Sequence, residues 1–140
     1  LSSDFITGFC NESEKDHDLT LSLMENIKYN FSYMFYYSER PNTYAQRKLN
    51  DNVPLKIKKR RLQEIVDLQR EHSLFQNKLC VGKTYEVLIE GHSKKSKNQF
   101  FGRTTQNTVA VFNKKDAQIG DFVNVKINDI TSATLIGEII

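Results

Sequence analysis

Cysteine is scarce in this chain: Cys10 and Cys80 are the only two, far apart and outside any metal-ligand spacing. So few thiols argue against a disulfide scaffold and for a reducing, cytoplasmic setting. No apolar run approaches the roughly 20 residues that a membrane-spanning helix needs, and no signal-peptide pattern opens the sequence. The three histidines, His17, His72 and His92, share no ligand spacing, so no metal site is expected. Also missing are a nucleophile–base pair, a glycine loop that would cradle phosphate, and a three-cysteine cluster motif. No catalytic residue is therefore assigned within this chain, and no membrane partner is expected.

What the sequence does have is an uneven charge. Lys and Arg balance Asp and Glu, eleven against eleven, as far as Asn77, and exceed them nine to six from Lys78 onward. The whole excess of +3 thus falls in the second part, as suits a nucleic-acid partner. The chain also opens at Leu1 almost directly on a strand-like apolar run, which predicts a piece of a longer protein.

The run Asp4 to Phe9, ending in Gly8-Phe9, reads as a strand. Ser13 with Asp16 three residues on resembles a helix cap, and Leu19, Leu23 and Ile27 repeat every four residues, with Met24 beside them. The stretch Glu14 to Tyr29 therefore predicts an amphipathic helix with that row as its apolar face. Phe31 to Tyr37, aromatic at nearly every position, predicts a buried strand. Strand, helix and strand at this spacing make a βαβ unit with a parallel sheet. Ser38 to Asn52 reads as loop with one short turn at most. Pro54 suits a helix start, and from there to Leu79 no Gly or Pro intervenes. A long helix is predicted, with Leu62, Ile65, Val66, Leu74 and Phe75 as its stripe.

The period then changes to two. Tyr85, Val87 and Ile89 alternate with polar residues, as do Val123, Val125 and Ile127. Gln99 to Gly102, Val109 to Phe112 and Leu135 to Ile139 supply three more runs, punctuated by glycines. The economical packing is a small five-stranded, OB-like antiparallel β-barrel. The expected class is α+β, with a boundary near Lys78 that separates residues 1–77 from residues 78–140.

Two basic clusters carry the functional signal. Lys56, Lys58, Lys59, Arg60 and Arg61 spread round a helix and read first as a solvated face, second as phosphate contacts. Lys94, Lys95 and Lys97 lie in the turn between the first two barrel strands, and Arg103 follows the second. OB-type barrels bind nucleic acid on one sheet face and its flanking loops, so these four are RNA-contact candidates; Lys83, Thr104 and Asn107 join them, the last two on the resemblance described below. Phe100, Phe101 and Phe112 read as core before they read as stacking surfaces.

From Ser3 to Asp16 the string SDFITGFCNESEKD resembles a strand–turn–helix segment of the radical-SAM methylthiotransferases. YSERPNTYA (Tyr37 to Ala45) is similar to the loop that comes next in that family, and VPLKIKKRRLQEIVDLQ (Val53 to Gln69) to its next helix. VGKTYEVLIEGHSKKS and FGRTTQNTVAVF look like the opening of the family's C-terminal TRAM domain, a barrel associated with tRNA binding. The resemblance runs through the whole chain in order. Arg103, Thr104, Asn107, Val109, Val111 and Phe112 match the branch that adds a methylthio group to isopentenylated adenosine beside the anticodon. The branches acting on threonylcarbamoyladenosine or on a ribosomal protein are the alternatives, as is a stand-alone RNA-binding module. Two turns depart from the family pattern, with Cys10-Asn11 in place of Pro-Gly and Pro41-Asn42-Thr43-Tyr44 in place of Pro-Gly-Thr-Pro.

The resemblance implies that residues 1–77 are the C-terminal βα units of a partial radical-SAM (β/α) barrel and that 78–140 are a TRAM domain. The parent would hold two 4Fe-4S clusters and S-adenosylmethionine. Since the cluster cysteines would lie upstream of Leu1, this segment alone is expected to bind no cofactor and to be inactive. Ile6 and Gly8 match family positions beside the adenosyl group. The expected partner is a tRNA anticodon stem-loop. Faces left open by the missing barrel, at Phe5, Phe9, Phe31, Phe35 and the first helix, are expected to promote self-association.

Overall fold

In the computed structural model, which describes residues 1–140, the chain divides into two units, Leu1–Ser73 and Leu74–Ile140. The division falls inside a helix and not at its end, because the last residues of that helix pack within the second unit. Asn77 Nδ2, for instance, donates to the Thr131 carbonyl at 2.9 Å.

The first unit is built on two parallel strands, β1 (Ser2–Thr7) and β2 (Phe31–Tyr36), joined through helix α1 (Glu14–Ile27). β1 ends two residues earlier than its apolar run suggested, because Gly8 takes a left-handed φ of 73° and turns the chain. Helix α1 starts at a reciprocal cap: Ser13 Oγ accepts from the Asp16 N–H, and the Asp16 carboxylate accepts from the Ser13 N–H. Such a box satisfies two of the amides that every helix start leaves unpaired. Of the expected apolar face of α1 only Met24 is buried. His17 and Met24 are buried, whereas Leu19 and Leu23 are 60% and 47% exposed. The Leu19–Leu23–Ile27 row lies on another side of the helix and is exposed. Nor is β2 buried on both faces: Phe31, Tyr33 and Phe35 are exposed, opposite Ser2, Asp4 and Ile6 on β1. Phe5 belongs instead to the small core, with Met24, Tyr29 and Ile65.

After a short helix α2 (Tyr44–Lys48) comes the long helix α3 (Leu55–Lys78). Its buried stripe over the first unit is Lys58, Arg61, Ile65, Gln69, His72 and Ser73, in which only Ile65 is apolar. The predicted stripe shares Ile65 alone, and Phe75 is 47% exposed. Most of these polar positions have a partner, although His72 Nδ1 and Arg61 Nε are buried without one. Gln69 accepts from Ser32 Oγ at 2.8 Å and donates to the Tyr29 carbonyl at 2.8 Å, while Ser73 Oγ donates to the Asn30 carbonyl at 2.8 Å. Buried polar groups so satisfied fix one arrangement of α3 over the β1–β2 pair.

The second unit is a closed barrel of β3 (Thr84–His92), β4 (Gln99–Thr104), β5 (Val109–Asn113), β6 (Phe122–Ile130) and β7 (Leu135–Ile139), in the order β3-β4-β5-β7-β6. Four pairings are antiparallel, and β5 with β7 is parallel. The expectation of an all-antiparallel barrel fails on parity: an odd number of strands cannot alternate direction all the way round a closed ring. Val87, Ile89, Phe100, Ala110, Phe112, Val125, Ile127, Leu135 and Ile139 fill the interior. Each large side chain among them stabilises the fold by roughly 1.5–3 kcal/mol. Gly102 lets the wall close, since a Cβ there would sit 2.1 Å from the Leu88 carbonyl oxygen.

Candidate nucleic-acid interface and the loop cradle of the first unit

Two places concentrate polar chemistry. The first is the turn after β1. The Glu12 carboxylate accepts from Thr7 Oγ1 at 3.1 Å, from the Gly8 N–H at 2.8 Å and from Arg61 at 2.8 Å. Arg61 also reaches Glu14 at 3.0 Å. Lys58 donates to both Asp51 oxygens at 2.6 Å and to the Tyr37 carbonyl at 3.2 Å. The basic run of α3 is thus not uniformly a solvated face. Lys58 and Arg61, three residues apart, point inward and tie the turns after β1 and β2 to the helix, while Arg60 bridges Glu14 and Glu64 at the surface. His17, fully buried, meets Glu64 at 2.7 Å.

These pairings move protonation equilibria. Hydrogen bonds from Arg60 and then Arg61 hold the Glu14 carboxyl below its usual value. Ser13 does the same for Asp16. For Glu64 burial acts upward, yet the bonds from Arg60 and His17 outweigh it and the net direction is down. Burial also lowers His72, helped by the charge of Lys28.

Ile6 is 61% exposed on the open sheet face, beside a cavity of about 570 Å³ lined by Ile6, Phe35, Tyr36, Tyr37, Ser38 and Arg40, among others. Gly8 is buried, and the space its side chain would fill is taken by Lys58, whose Cγ lies 2.5 Å from the position of an added Cβ. At the two turns that depart from the family pattern, Asn11 and Asn42 adopt φ of 65° and 63°. Asparagine tolerates this left-handed region better than other side chains, so each stands in for glycine there.

The second place is the barrel surface, where the structure separates the seven RNA-contact candidates into two groups. Lys94, Lys95 and Lys97 are exposed in the loop at the end of β3, with Lys95 N–H held by Ser93 Oγ at 3.3 Å. Arg103, Thr104 and Asn107 belong to the turn at the opposite end of β4, roughly 17 Å away along a six-residue strand. Lys83 precedes the start of β3 and lies toward that second end. Arg103 donates to Asn107 Oδ1 at 3.1 Å and lies 3.4 Å from Glu90. Thr104 is buried and its Oγ1 accepts from the Thr108 N–H at 3.2 Å, while Asn107 supplies the left-handed residue of the turn.

Residue-by-residue reading missed three groups beside the lysine loop. Lys114 N–H donates to the Asn98 carbonyl at 3.0 Å, which joins the loop after β5 to the lysine loop. Its ammonium lies 4.8 Å from the centre of the Phe100 ring. Lys115 Nζ donates to the Ile139 carbonyl, and His92 stacks on Phe100 with ring centres 5.2 Å apart. The Lys114-Lys115 pair was visible as a signal; the inward aim of His92 was not.

No group of three or more His, Cys, Asp or Glu side chains could hold a metal ion, and no helix is long and apolar enough to cross a membrane. Comparison with known proteins gives a family match and a set of relatives. Residues 78–140 match the TRAM domain family. The chain is 62% identical to a tRNA-2-methylthio-N(6)-dimethylallyladenosine synthase of Christiangramia forsetii, over 99% of this chain and 29% of that protein. Synthases of the same name from Karelsulcia muelleri and Bacteroides thetaiotaomicron are 57% and 55% identical, with 99% of this chain aligned to 31% and 30% of theirs. The chain therefore spans about three-tenths of the length of the curated relatives it matches. Among solved structures, a conserved protein of Methanococcus maripaludis covers 43% of this chain and 79% of its own at 27% identity, with a TM-score of 0.36.

Proposed function

We propose that this chain, related along its whole length to the tRNA-2-methylthio-N(6)-dimethylallyladenosine synthases and ending in a TRAM domain, is a segment of a cytoplasmic tRNA methylthiotransferase. The observation that carries the reading is an identity of 55–62% to those synthases sustained over 99% of the chain. The parent's reaction would add a methylthio group to isopentenylated adenosine next to the anticodon. Its two 4Fe-4S clusters and S-adenosylmethionine would supply the radical and sulfur-transfer chemistry, while protein groups bind and orient. No three ligating side chains converge in this chain, so other parts of the parent would hold the clusters. Isolated, the segment is inactive; cleavage of S-adenosylmethionine by the chain after treatment with iron and sulfide would contradict this.

Within the parent, Ile6 and Gly8 would stand near the adenosyl group. The open position of Ile6 beside the aromatic cavity supports that for Ile6. At Gly8 the nearest group is Lys58, so its part would be to hold the turn that carries Ile6. The face of Ile6, Phe31, Tyr33 and Phe35 would be covered in the parent, and in the isolated segment it drives self-association, to be seen in sedimentation.

The barrel would hold the anticodon stem-loop, with Lys94, Lys95 and Lys97 at one end and Lys83, Arg103 and Asn107 at the other as RNA-facing groups, and buried Thr104 bracing the turn between Arg103 and Asn107. Fluorescence anisotropy of the 140-residue chain with that stem-loop across a salt series tests this. Each phosphate contact should steepen the fall of log affinity with log salt by roughly 0.7 to 0.9. Salt-dependent binding weakened by K94E, K95E and R103E supports the reading; absence of binding at low salt refutes it for the barrel.

A further inference from the structure

Strand β3 contains a bulge. Val87, Leu88 and Ile89 pair in register with Thr104, Arg103 and Gly102, but the next pair is Gly91 with Phe101, so Glu90 is an extra residue. Side chains alternate along a strand, so one inserted residue moves everything after it to the other face. Without the bulge His92 would point outward with Leu88 and Glu90. With it, His92 pairs with Phe100 and shares that residue's inward face at the mouth of the barrel. Phe100 is core, 3% exposed, and packs in turn against Phe112. His92 is exposed and lies over Phe100 at an interplanar angle of 27°. The result is a flat ring held from beneath at the edge of a closed barrel.

Two loops next to this ring carry lysines. Lys94, Lys95 and Lys97 come directly after it, and Lys114 comes from the loop after β5, held to the first loop through Asn98 and placed over the same Phe100 ring. Two carboxylates, Asp116 and Asp121, share the second loop, and Asp121 accepts from the Gln118 N–H at 2.8 Å. A supported ring in a loop rich in lysines is what an unpaired nucleotide needs: a face for the base and positive charge for the phosphates beside it.

We infer that His92 is a stacking plate for one unpaired base of a bound RNA, and that Lys94, Lys95, Lys97 and Lys114 hold the phosphates flanking that base. This rests on the RNA-binding reading of the barrel and places the stacked base at its lysine-loop end, whatever phosphates the Arg103–Asn107 turn holds.

The test is anisotropy of the full chain with the anticodon stem-loop, comparing wild type, H92A, H92F, K114A and R103A, each checked for an intact barrel by amide exchange. H92A should weaken binding about fivefold or more, the range of one lost base–aromatic stack. H92F, which keeps a ring on Phe100, should bind within twofold of wild type. K114A should lower the salt slope by roughly 0.7, and H92A should leave that slope unchanged. If wild type binds but H92A is within twofold of it, or H92F is as weak as H92A, the stacking role is wrong. If R103A lowers the slope and K114A does not, the contact lies at the other end of the barrel. If wild type does not bind, the RNA-binding reading itself falls, and this inference with it.

Discussion

The two units solve the same problem, how to bury a surface, with opposite materials. In the barrel, nine apolar residues close on one another and none carries an ionisable group. In the first unit, the face that α3 buries is mostly polar, with Lys58, Arg61, Gln69, His72 and Ser73 each less than 9% exposed. An apolar core gains from any close filling of its volume. A polar one gains little unless every partner is present, and loses heavily when one is removed. The barrel should thus respond to changes of volume, and the first unit to changes of charge.

The largest expected effect is a volume change. F112A removes a fully buried ring from the barrel and should cost about 3–5 kcal/mol. Amide exchange should show the loss in β3 to β7 and leave β1 and β2 protected. Next in size, R61M leaves the Glu12 carboxylate, which also serves Thr7 and Gly8, without its cation. It should cost about 3 kcal/mol, read in the same exchange experiment but confined to the first unit. If R61M opened the barrel amides as well, the contrast between the units would not hold.

Acid should separate the two units without any mutation. Glu14, Asp16 and Glu64 all have folded pKa values below their ordinary ones. The stability they contribute is present above the unfolded carboxylate range, near pH 4, and lost as pH falls through the lower folded values. His72 has the same sign: its folded pKa is depressed, so stability is present above about pH 6.5 and falls as pH drops toward the folded value. In an acid titration monitored by two-dimensional NMR, the amides of Leu1–Ser73 should lose dispersion at a higher pH than those of the barrel. The smallest effect is at the α1 cap. S13A removes the acceptor for the Asp16 N–H and should cost about 1 kcal/mol, measured as a shift in urea midpoint.

The same contrast governs how far each unit is legible in sequence. Barrel strands announce themselves because Val87, Ile89, Val125 and Ile127 alternate with polar neighbours, and period two is a local signal. The parallel β5–β7 pair is not local; it emerges only from counting strands in a closed ring. The polar face of α3 is harder still. Lys58 and Arg61 look like the rest of their basic run, and what buries them is the presence of Asp51 and Glu12, seven and forty-nine residues away. Leu19, Leu23 and Ile27 misled in the converse way: a sound apolar row marks a surface that wants covering, without saying what covers it. At the candidate site, the lysine loop and Arg103 were readable from charge, and Thr104 and Asn107 from resemblance. Their separation to opposite ends of β4 needed the fold, and the aim of His92 needed a one-residue bulge that no periodicity records.

The central proposal, that this chain meets RNA through its barrel, is tested most directly by hydrogen exchange of the whole chain with and without a tRNA anticodon stem-loop. The expected result is added protection in the barrel, strongest across residues 92–98 and at Lys114, with the amides of Leu1–Ser73 unchanged. Protection confined to Leu1–Ser73, with the barrel loops as exposed as before, would contradict it.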